Sequence, residues 1–336
     1  MKEFEIRPAL LFDRYLELSR NDVSAYFGTR QNRTFRKCPA CDQSSSIKEF
    51  EKNTFTFVRC ADCQTLYVNP CPDPNQLAKF YCESPSQIFW ANSFFPKVAA
   101  IRRKKIFIPR AKAIKALLLK HQINERGRII DVGAGDGTML KEMEKTGLGD
   151  DVVAVEPTPD LAKCCEAKGF TVFNGFAETA SKEKSLVNTG ILVTSFEVIE
   201  HLVSPADFLM DLSIICNKEG VILITGLSGS GFDIQVLGKK SKAISPPHHL
   251  NFITRRGVTS LLERCGLQEI SFTTPGKLDV DIVRNSFIEN SSAVSDPFLH
   301  QLFKEDDEGV LVAFQKFLSL NHKSSHMWIL ARKLKA

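Results

Sequence analysis

From residue 128 onward, short apolar runs alternate with amphipathic stretches. Four runs rich in β-branched residues have strand length: Ile129–Val132, Val152–Val155, Ile191–Ser195 and Val221–Thr225. Phe170–Phe173 is a fifth. Between them, apolar residues recur at helical spacing: Met139, Leu140 and Met143; a stretch over 160–168 that stops at Gly169; then Phe208, Leu209, Leu212 and Ile215. Period-two or continuous runs of this length predict strands, and the 3.6-residue period predicts helices. Regular alternation of the two predicts a parallel sheet with helices on both faces. Downstream, Leu261–Leu267 predicts a helix closed by Gly266, followed by strands at Ile270–Thr274 and His326–Ala331. The expected fold is therefore α/β, a doubly wound, mostly parallel sheet of seven strands.

Ahead of this block the pattern differs. Residues 1–35 read as a polar, partly helical lead-in. Residues 36–96 contain the alternation Phe55–Arg59, then prolines at 70, 72 and 74 that predict a break in regular structure. The aromatic pairs Phe80-Tyr81 and Phe89-Trp90 follow, as packing or as the floor of a pocket. Residues 97–122 are helical by spacing, with a kink expected at Pro109. The predicted organisation is a lead-in (1–35), a small module with its linker (36–96) and the α/β domain (97–336). Within the last, 278–322 is a helical insertion with no assigned role.

The cysteines change the picture of the small module. Cys38 and Cys41 form one C-x-x-C pair, Cys60 and Cys63 another, with 18 residues between them. Two such knuckles at this separation match a tetrahedral zinc ribbon, and four thiolates fill the coordination sphere, so the metal is expected to be structural. Cys71 and Cys82 are expected to be isolated packing thiols.

Composition narrows the class of protein. The chain has 336 residues, 43% apolar and 25% charged, as in a soluble globular protein. A formal charge of +5 is mild. The densest basic run, Arg102–Lys105, reads as a solvated helix face rather than a phosphate grip, so nucleic acid is not the expected partner. No window has the roughly 18 apolar residues of a membrane span. No signal peptide is visible at the first residues, and thiols kept reduced point to a cytoplasmic protein.

The first strand runs into Gly133, Gly135 and Gly137 at alternate positions, then a helix start. Glycines there permit positive φ and close approach of backbone to a ligand, and the helix N-terminus offers unpaired N–H groups. Glu156 ends the second strand, where a carboxylate holds a ribose diol. A dinucleotide site wants G-x-G-x-x-G, but the third position here is Thr138. A tight turn without a ligand is the plain alternative.

The run Asp131-Val132-Gly133-Ala134-Gly135-Asp136-Gly137 resembles the first motif of class I S-adenosylmethionine-dependent methyltransferases preceded by a four-cysteine zinc ribbon. The resemblance spans roughly residues 38–275 and includes the Y-V-N-P linker, E-V-I-E-H at 197–201 and H-H-L-N-F at 248–252. It implies S-adenosyl-L-methionine as cofactor. Asp131, Gly133, Ala134, Gly135 and Asp136 would lie against its methionine end. Glu156 would take the ribose hydroxyls, Phe176 and Ala177 would lie closest to the adenine, and Pro157, Ser195 and Phe196 are the further cofactor-binding positions. It also implies a small-molecule acceptor: a sugar or polysaccharide precursor, free or linked to a nucleotide or lipid, or another hydroxylated metabolite. Sugar enzymes of this kind carry a further C-terminal α/β domain that this sequence does not show, so plain O-methylation stays open. An RNA methyltransferase using the ribbon to grip RNA, and a non-catalytic scaffold, are the alternatives. Against the first, the place of an N-P-P-Y-like tetrapeptide reads Ser195-Phe196-Glu197-Val198.

Two polar clusters are candidates for the chemistry. Glu197, Glu200 and His201 would share one face of a helix after the fourth strand. They would position the acceptor or supply a base, bind a divalent ion, or only cap the helix. His248 and His249 lie in a loop after the fifth strand. An imidazole titrates near pH 6.5 and can take a proton from a hydroxyl, though loop anchoring through its N–H groups is the alternative.

Overall fold

A computed structural model describes residues 1–28, 32–124 and 126–334. The chain divides into two compact units. The first comprises residues 1–97, 227–260 and 273–327, and the second 98–226, 261–272 and 328–336. Compactness thus cuts the chain differently from the division by sequence, because segments distant in the chain return to each unit.

The second unit is built on a seven-stranded sheet. Its strands are β1 (Arg128–Val132), β2 (Asp151–Val155), β3 (Thr171–Phe173), β4 (Gly190–Phe196), β5 (Cys216–Leu227), β6 (Leu267–Thr273) and β7 (His326–Lys333). Their order across the sheet is β6-β7-β5-β4-β1-β2-β3. The pairs β1/β2, β1/β4, β2/β3 and β4/β5 are parallel. Strand order therefore reverses at β1 and β4, the switch point at which ligands bind in such sheets. Register carries this to particular residues: Asp131 lies opposite Ala154 on one side and Thr194 on the other.

Each strand is apolar for a reason visible in its packing. Ile129, Leu192, Val221 and Leu223 join Ala111, Ile114, Leu118, Leu140 and Met143 in one core. Helix Ile108–Lys120 and helix Thr138–Lys145 supply the helical side of it. The residues preceding the first of these, Arg103–Phe107, form a π turn. The backbone is helical from this π turn straight into helix Ile108–Lys120, and Pro109 stands in the first turn of the α-helical part. Arg103, expected on a solvated face, donates to the buried carboxylate of Glu142 at 2.7 Å.

The first unit contains helix Ala9–Phe27 and a four-stranded antiparallel sheet of Ser46–Lys52, Phe55–Cys60, Leu66–Val68 and Asn251–Phe252. Pro72 and Pro74 do not break regular structure as expected. Cys71–Pro72 pairs with Arg33–Thr34, and Pro74 opens helix Pro74–Glu83 behind the capping carboxylate of Asp73. Cys71 is buried, but Cys82 is exposed and so not a packing thiol. Residues 278–322 form helices Asp279–Glu289, Pro297–Glu305 and Glu308–Leu320 around a core of Val283, Leu299, Phe303 and Leu318.

Truncating Leu140, wholly buried in the sheet–helix core, is expected to cost about 2–5 kcal/mol of unfolding free energy. Urea denaturation of Leu140→Ala against the parent protein measures it.

Candidate active site

The glycine turn between β1 and helix Thr138–Lys145 is dictated by local sterics. Gly133, Gly135 and Gly137 have φ of +81°, +58° and +75°. A Cβ on Gly133 would meet Val198 Cγ2 at 2.8 Å, and one on Gly137 would meet Cys165 Sγ at 3.0 Å. The loop is tied to the end of β2, since Gly133 N–H donates to the Val155 carbonyl at 2.8 Å. Asp136 holds the helix start, accepting from the Thr138 N–H at 3.1 Å and hydroxyl at 2.5 Å.

Glu156, 4% exposed, follows Val155 at the end of β2. One oxygen accepts the Gly135 N–H at 2.8 Å and the other the Thr158 N–H at 2.9 Å. Burial nevertheless raises its pKa. A carboxylate has about four acceptor sites, so a diol can bind without displacing these two bonds. Pro157 lies between the two anchored residues. Asp131, 1% exposed, accepts the Thr194 hydroxyl at 2.7 Å. Burial pushes its carboxyl up to about 7.

The other positions lie at strand ends of the same unit. Ser195 is wholly buried, and its hydroxyl finds no hydrogen-bond partner among the described residues. Ala177 is buried, whereas Phe176 is 64% exposed, a large apolar ring left uncovered beside the end of β3. Phe196 lies under the Arg110 guanidinium at 5.6 Å.

Glu197, Glu200 and His201 do not share the face of an α-helix. Glu197 has φ +56°, and only a 3-10 turn, Ile199–His201, follows it. The α-helix begins at Pro205, where Ser204 caps it. Glu197 is turned toward Thr225 and Arg110, which donate to it at 2.6 and 3.2 Å. Glu200 is buried. The roles of Thr194, Thr225 and Arg110 have no local sequence signal. Thr194 alone is inferable, from its place opposite Asp131 once strand order is known.

His248 and His249 belong to the first unit, in the loop before strand Asn251–Phe252. The two rings differ. His248 is 4% exposed, with Nε2 3.2 Å from the Tyr15 hydroxyl and Nδ1 2.8 Å from Gln87 Nε2. Phe80 meets it edge-on at 4.9 Å between ring centroids. Phe80 is wholly buried, and Trp90 stacks on Phe94 at 4.3 Å between ring centroids. His249 Nδ1 lies 2.6 Å from the Ala243 carbonyl. A carbonyl only accepts, so Nδ1 carries the proton, and Nε2 of the neutral ring is the basic nitrogen.

In the same unit, Cys38, Cys41, Cys60 and Cys63 bring their sulfurs within 4.8 Å of one another. Cys38 and Cys63 sulfurs are 3.5 Å apart and those of Cys41 and Cys60 3.4 Å. Tetrahedral ligation at Zn–S of about 2.3 Å puts sulfurs about 3.8 Å apart. The donor set and its spacing fit a closed zinc site. No helix among the described residues is long and apolar enough to cross a membrane.

Residues 101–271, half of the chain, match a family described as a methyltransferase domain. The chain belongs to that family and is an S-adenosylmethionine-dependent class I methyltransferase. Solved structures similar to it include an S-adenosylmethionine-dependent methyltransferase from Clostridium acetobutylicum, 10% identical, with 72% of this chain and 99% of that one covered and a TM-score of 0.46. A SAM-dependent methyltransferase from Archaeoglobus fulgidus is 17% identical, with 70% and 99% covered and a TM-score of 0.44. No curated protein matches the sequence.

Asp131 gives a pH prediction. Its folded pKa, about 7, lies above the ordinary 3.8. The folded state then binds the extra proton, so this group's contribution is full below pH 3.8 and is lost as pH rises to about 7. Asp131→Asn is expected to flatten that fall in unfolding free energy across the same interval, measured by denaturant titration of the ligand-free protein.

Proposed function

We propose that this methyltransferase methylates a hydroxyl of a small-molecule acceptor, a sugar or another hydroxylated metabolite. S-adenosylmethionine supplies an activated methyl group on a sulfonium, a good leaving group. The chain's own residues then have three tasks: binding, alignment with exclusion of water, and removal of the acceptor proton.

The observation that carries the cofactor reading is the double anchorage of Glu156. With both oxygens fixed by backbone N–H groups of Gly135 and Thr158, its remaining lone pairs are aimed before any ligand arrives. In this reading they take the ribose hydroxyls, and Pro157 fixes the chain between the anchors. Gly133, Ala134 and Gly135 admit the ligand against the backbone, and Asp136 holds the helix start behind them. Asp131 places a carboxyl near a cationic methionine moiety, which favours its ionised form. Phe176 and Ala177 flank the adenine, and Ser195 and Phe196 line the strand end, where the Ser195 hydroxyl gains a partner.

For the proton, His249 is the favoured base, because the Ala243 carbonyl fixes the ring proton on Nδ1 and so places the lone pair of the neutral ring on Nε2. His248, hydrogen-bonded at both ring nitrogens, is assigned to acceptor positioning. His201, Glu197 and Glu200 are assigned to the acceptor side of the second unit, with Glu197 oriented by Arg110 and Thr225. The ribbon, 36–96, holds structural zinc through Cys38, Cys41, Cys60 and Cys63, and residues 97–336 carry the transferase.

Titration calorimetry is expected to give micromolar binding of S-adenosylhomocysteine and none of NADH. Glu156→Ala should weaken the former by about tenfold or more, the loss of hydrogen bonds to a charged group. Unchanged affinity in that variant would remove Glu156 from the site. With an acceptor in hand, His249→Gln should lower kcat by about 10²–10⁴ and leave homocysteine-product affinity unchanged. Metal analysis should find one zinc per chain, lost in Cys60→Ser together with stability of the first unit; a metal-free protein of equal stability would contradict the zinc assignment.

A further inference from the structure

The first unit contains a second polar site that the methyl-transfer reading does not use. It is a cavity of about 370 Å³, bounded by helix Ala9–Phe27, the turn after strand Ser46–Lys52, the segment 240–245 and the end of helix Asp279–Glu289. Four cations line it: Arg20, Lys52, Lys240 and Lys242. Two carboxylates face them. Glu289 is already committed to Lys242 at 3.1 Å, and Asp13 is exposed on the helix.

Two features mark this as a built site and not a solvated face. Lys52 is partly buried, and among the described residues its ammonium donates to the Ser241 carbonyl at 2.7 Å and forms no ion pair with a carboxylate. Desolvation pulls its pKa down to about 8. A cation withdrawn from water without an anion is unfavourable, and such groups are normally paired. Ser19 is 2% exposed, lines the same cavity and has a hydroxyl without a hydrogen-bond partner among the described residues. Buried hydroxyls are almost always bonded. The guanidinium of Arg20 also has no ion-pair partner among them. Lys240 reaches only the Ser292 carbonyl.

We infer that this cavity binds the phosphate of a phosphorylated small molecule. A phosphate monoester carries about −1.5 to −2 charge and three acceptor oxygens near pH 7. The excess of two cations over carboxylates matches that charge, and the Ser19 hydroxyl supplies a neutral donor. Lysines bind phosphate as point charges, without the planar fork a carboxylate would select. The volume falls in the range of small-molecule pockets, about 300–1,000 Å³, and so exceeds what a bare ion needs. The same chemistry would accept inorganic phosphate, and the test separates the two.

The experiment is calorimetric titration of the full-length, zinc-loaded protein with uridine 5′-diphosphate, inorganic phosphate and uridine, each with and without saturating S-adenosylhomocysteine. Uridine carries the base without the anion, and the homocysteine compound keeps the cofactor site from contributing. The expected result is saturable binding of the diphosphate at one site, persisting in the presence of S-adenosylhomocysteine, with no binding of uridine. Lys52→Gln and Ser19→Ala should each weaken it by about tenfold or more. Ser19→Ala removes no internal hydrogen bond, so this variant keeps its fold, checked by its unchanged thermal unfolding. Inorganic phosphate binding as tightly as the diphosphate would support the anion site with free phosphate as its ligand. Absence of binding by every phosphate probe would overturn the proposal, as would binding unaffected in both variants. Because S-adenosylhomocysteine affinity is measured in the same protein, failure here is distinct from failure of the cofactor assignment.

Discussion

Two carboxylates at the ends of neighbouring parallel strands, Asp131 on β1 and Glu156 after β2, constrain the rest of the second unit. Both are buried, and burial raises the pKa of each. A buried carboxyl is tolerated only where donors meet it. The donors come from three places: the Gly135 N–H in the glycine turn and the Thr158 N–H after β2 for Glu156, and the Thr194 hydroxyl on β4 for Asp131. Meeting Glu156 requires the backbone to fold back within hydrogen-bond reach, which the positive-φ glycines permit. Parallel register then sets β4 against β1, so Thr194 faces Asp131. The loop, the strand order and the acid pair are one arrangement, and a cofactor with a diol and a cationic end suits it.

The sheet was legible in the sequence because its strands are short, apolar and separated by helices of clear period. All seven strands appear where periodicity places them, within a few residues. The glycine turn was legible because only glycine tolerates those dihedrals. Short-range geometry after β4 was not. The E-x-x-E-H spacing suits a helix, but Glu197 adopts a left-handed conformation and accepts from Thr225 and Arg110, both remote in the chain. Tertiary hydrogen bonds override local spacing there. The α-helix starts only at Pro205, behind the Ser204 cap. Pro72 and Pro74 depart from the expected break for a related reason. Proline is compatible with an edge strand and with the first helical position, and only the neighbouring Asp73 cap distinguishes the latter from a break.

In the first unit, motif spacing said more than hydrophobic periodicity did. Paired C-x-x-C spacing identified four cysteines whose sulfurs do converge. The adjacent histidines looked alike in sequence, and their difference lies in partners that are not neighbours in the chain. Tyr15 and Gln87 engage both nitrogens of His248, whereas the Ala243 carbonyl fixes one tautomer of His249. Tautomer choice of this kind is set by one hydrogen bond. The cationic cavity was invisible in sequence, since Ser19, Lys52 and Lys242 come from three separate segments of unremarkable composition.

The central claim is that the turn after β1 and the carboxylate after β2 form the cofactor cradle. Amide hydrogen exchange with and without S-adenosylhomocysteine tests it most directly, because the amides read out are those assigned to the proposed cradle. The account predicts slowed exchange at Gly133–Thr138, Thr158 and Phe176–Ala177, with the core strands unchanged. Protection confined to other segments, under conditions where binding is saturated, would contradict it.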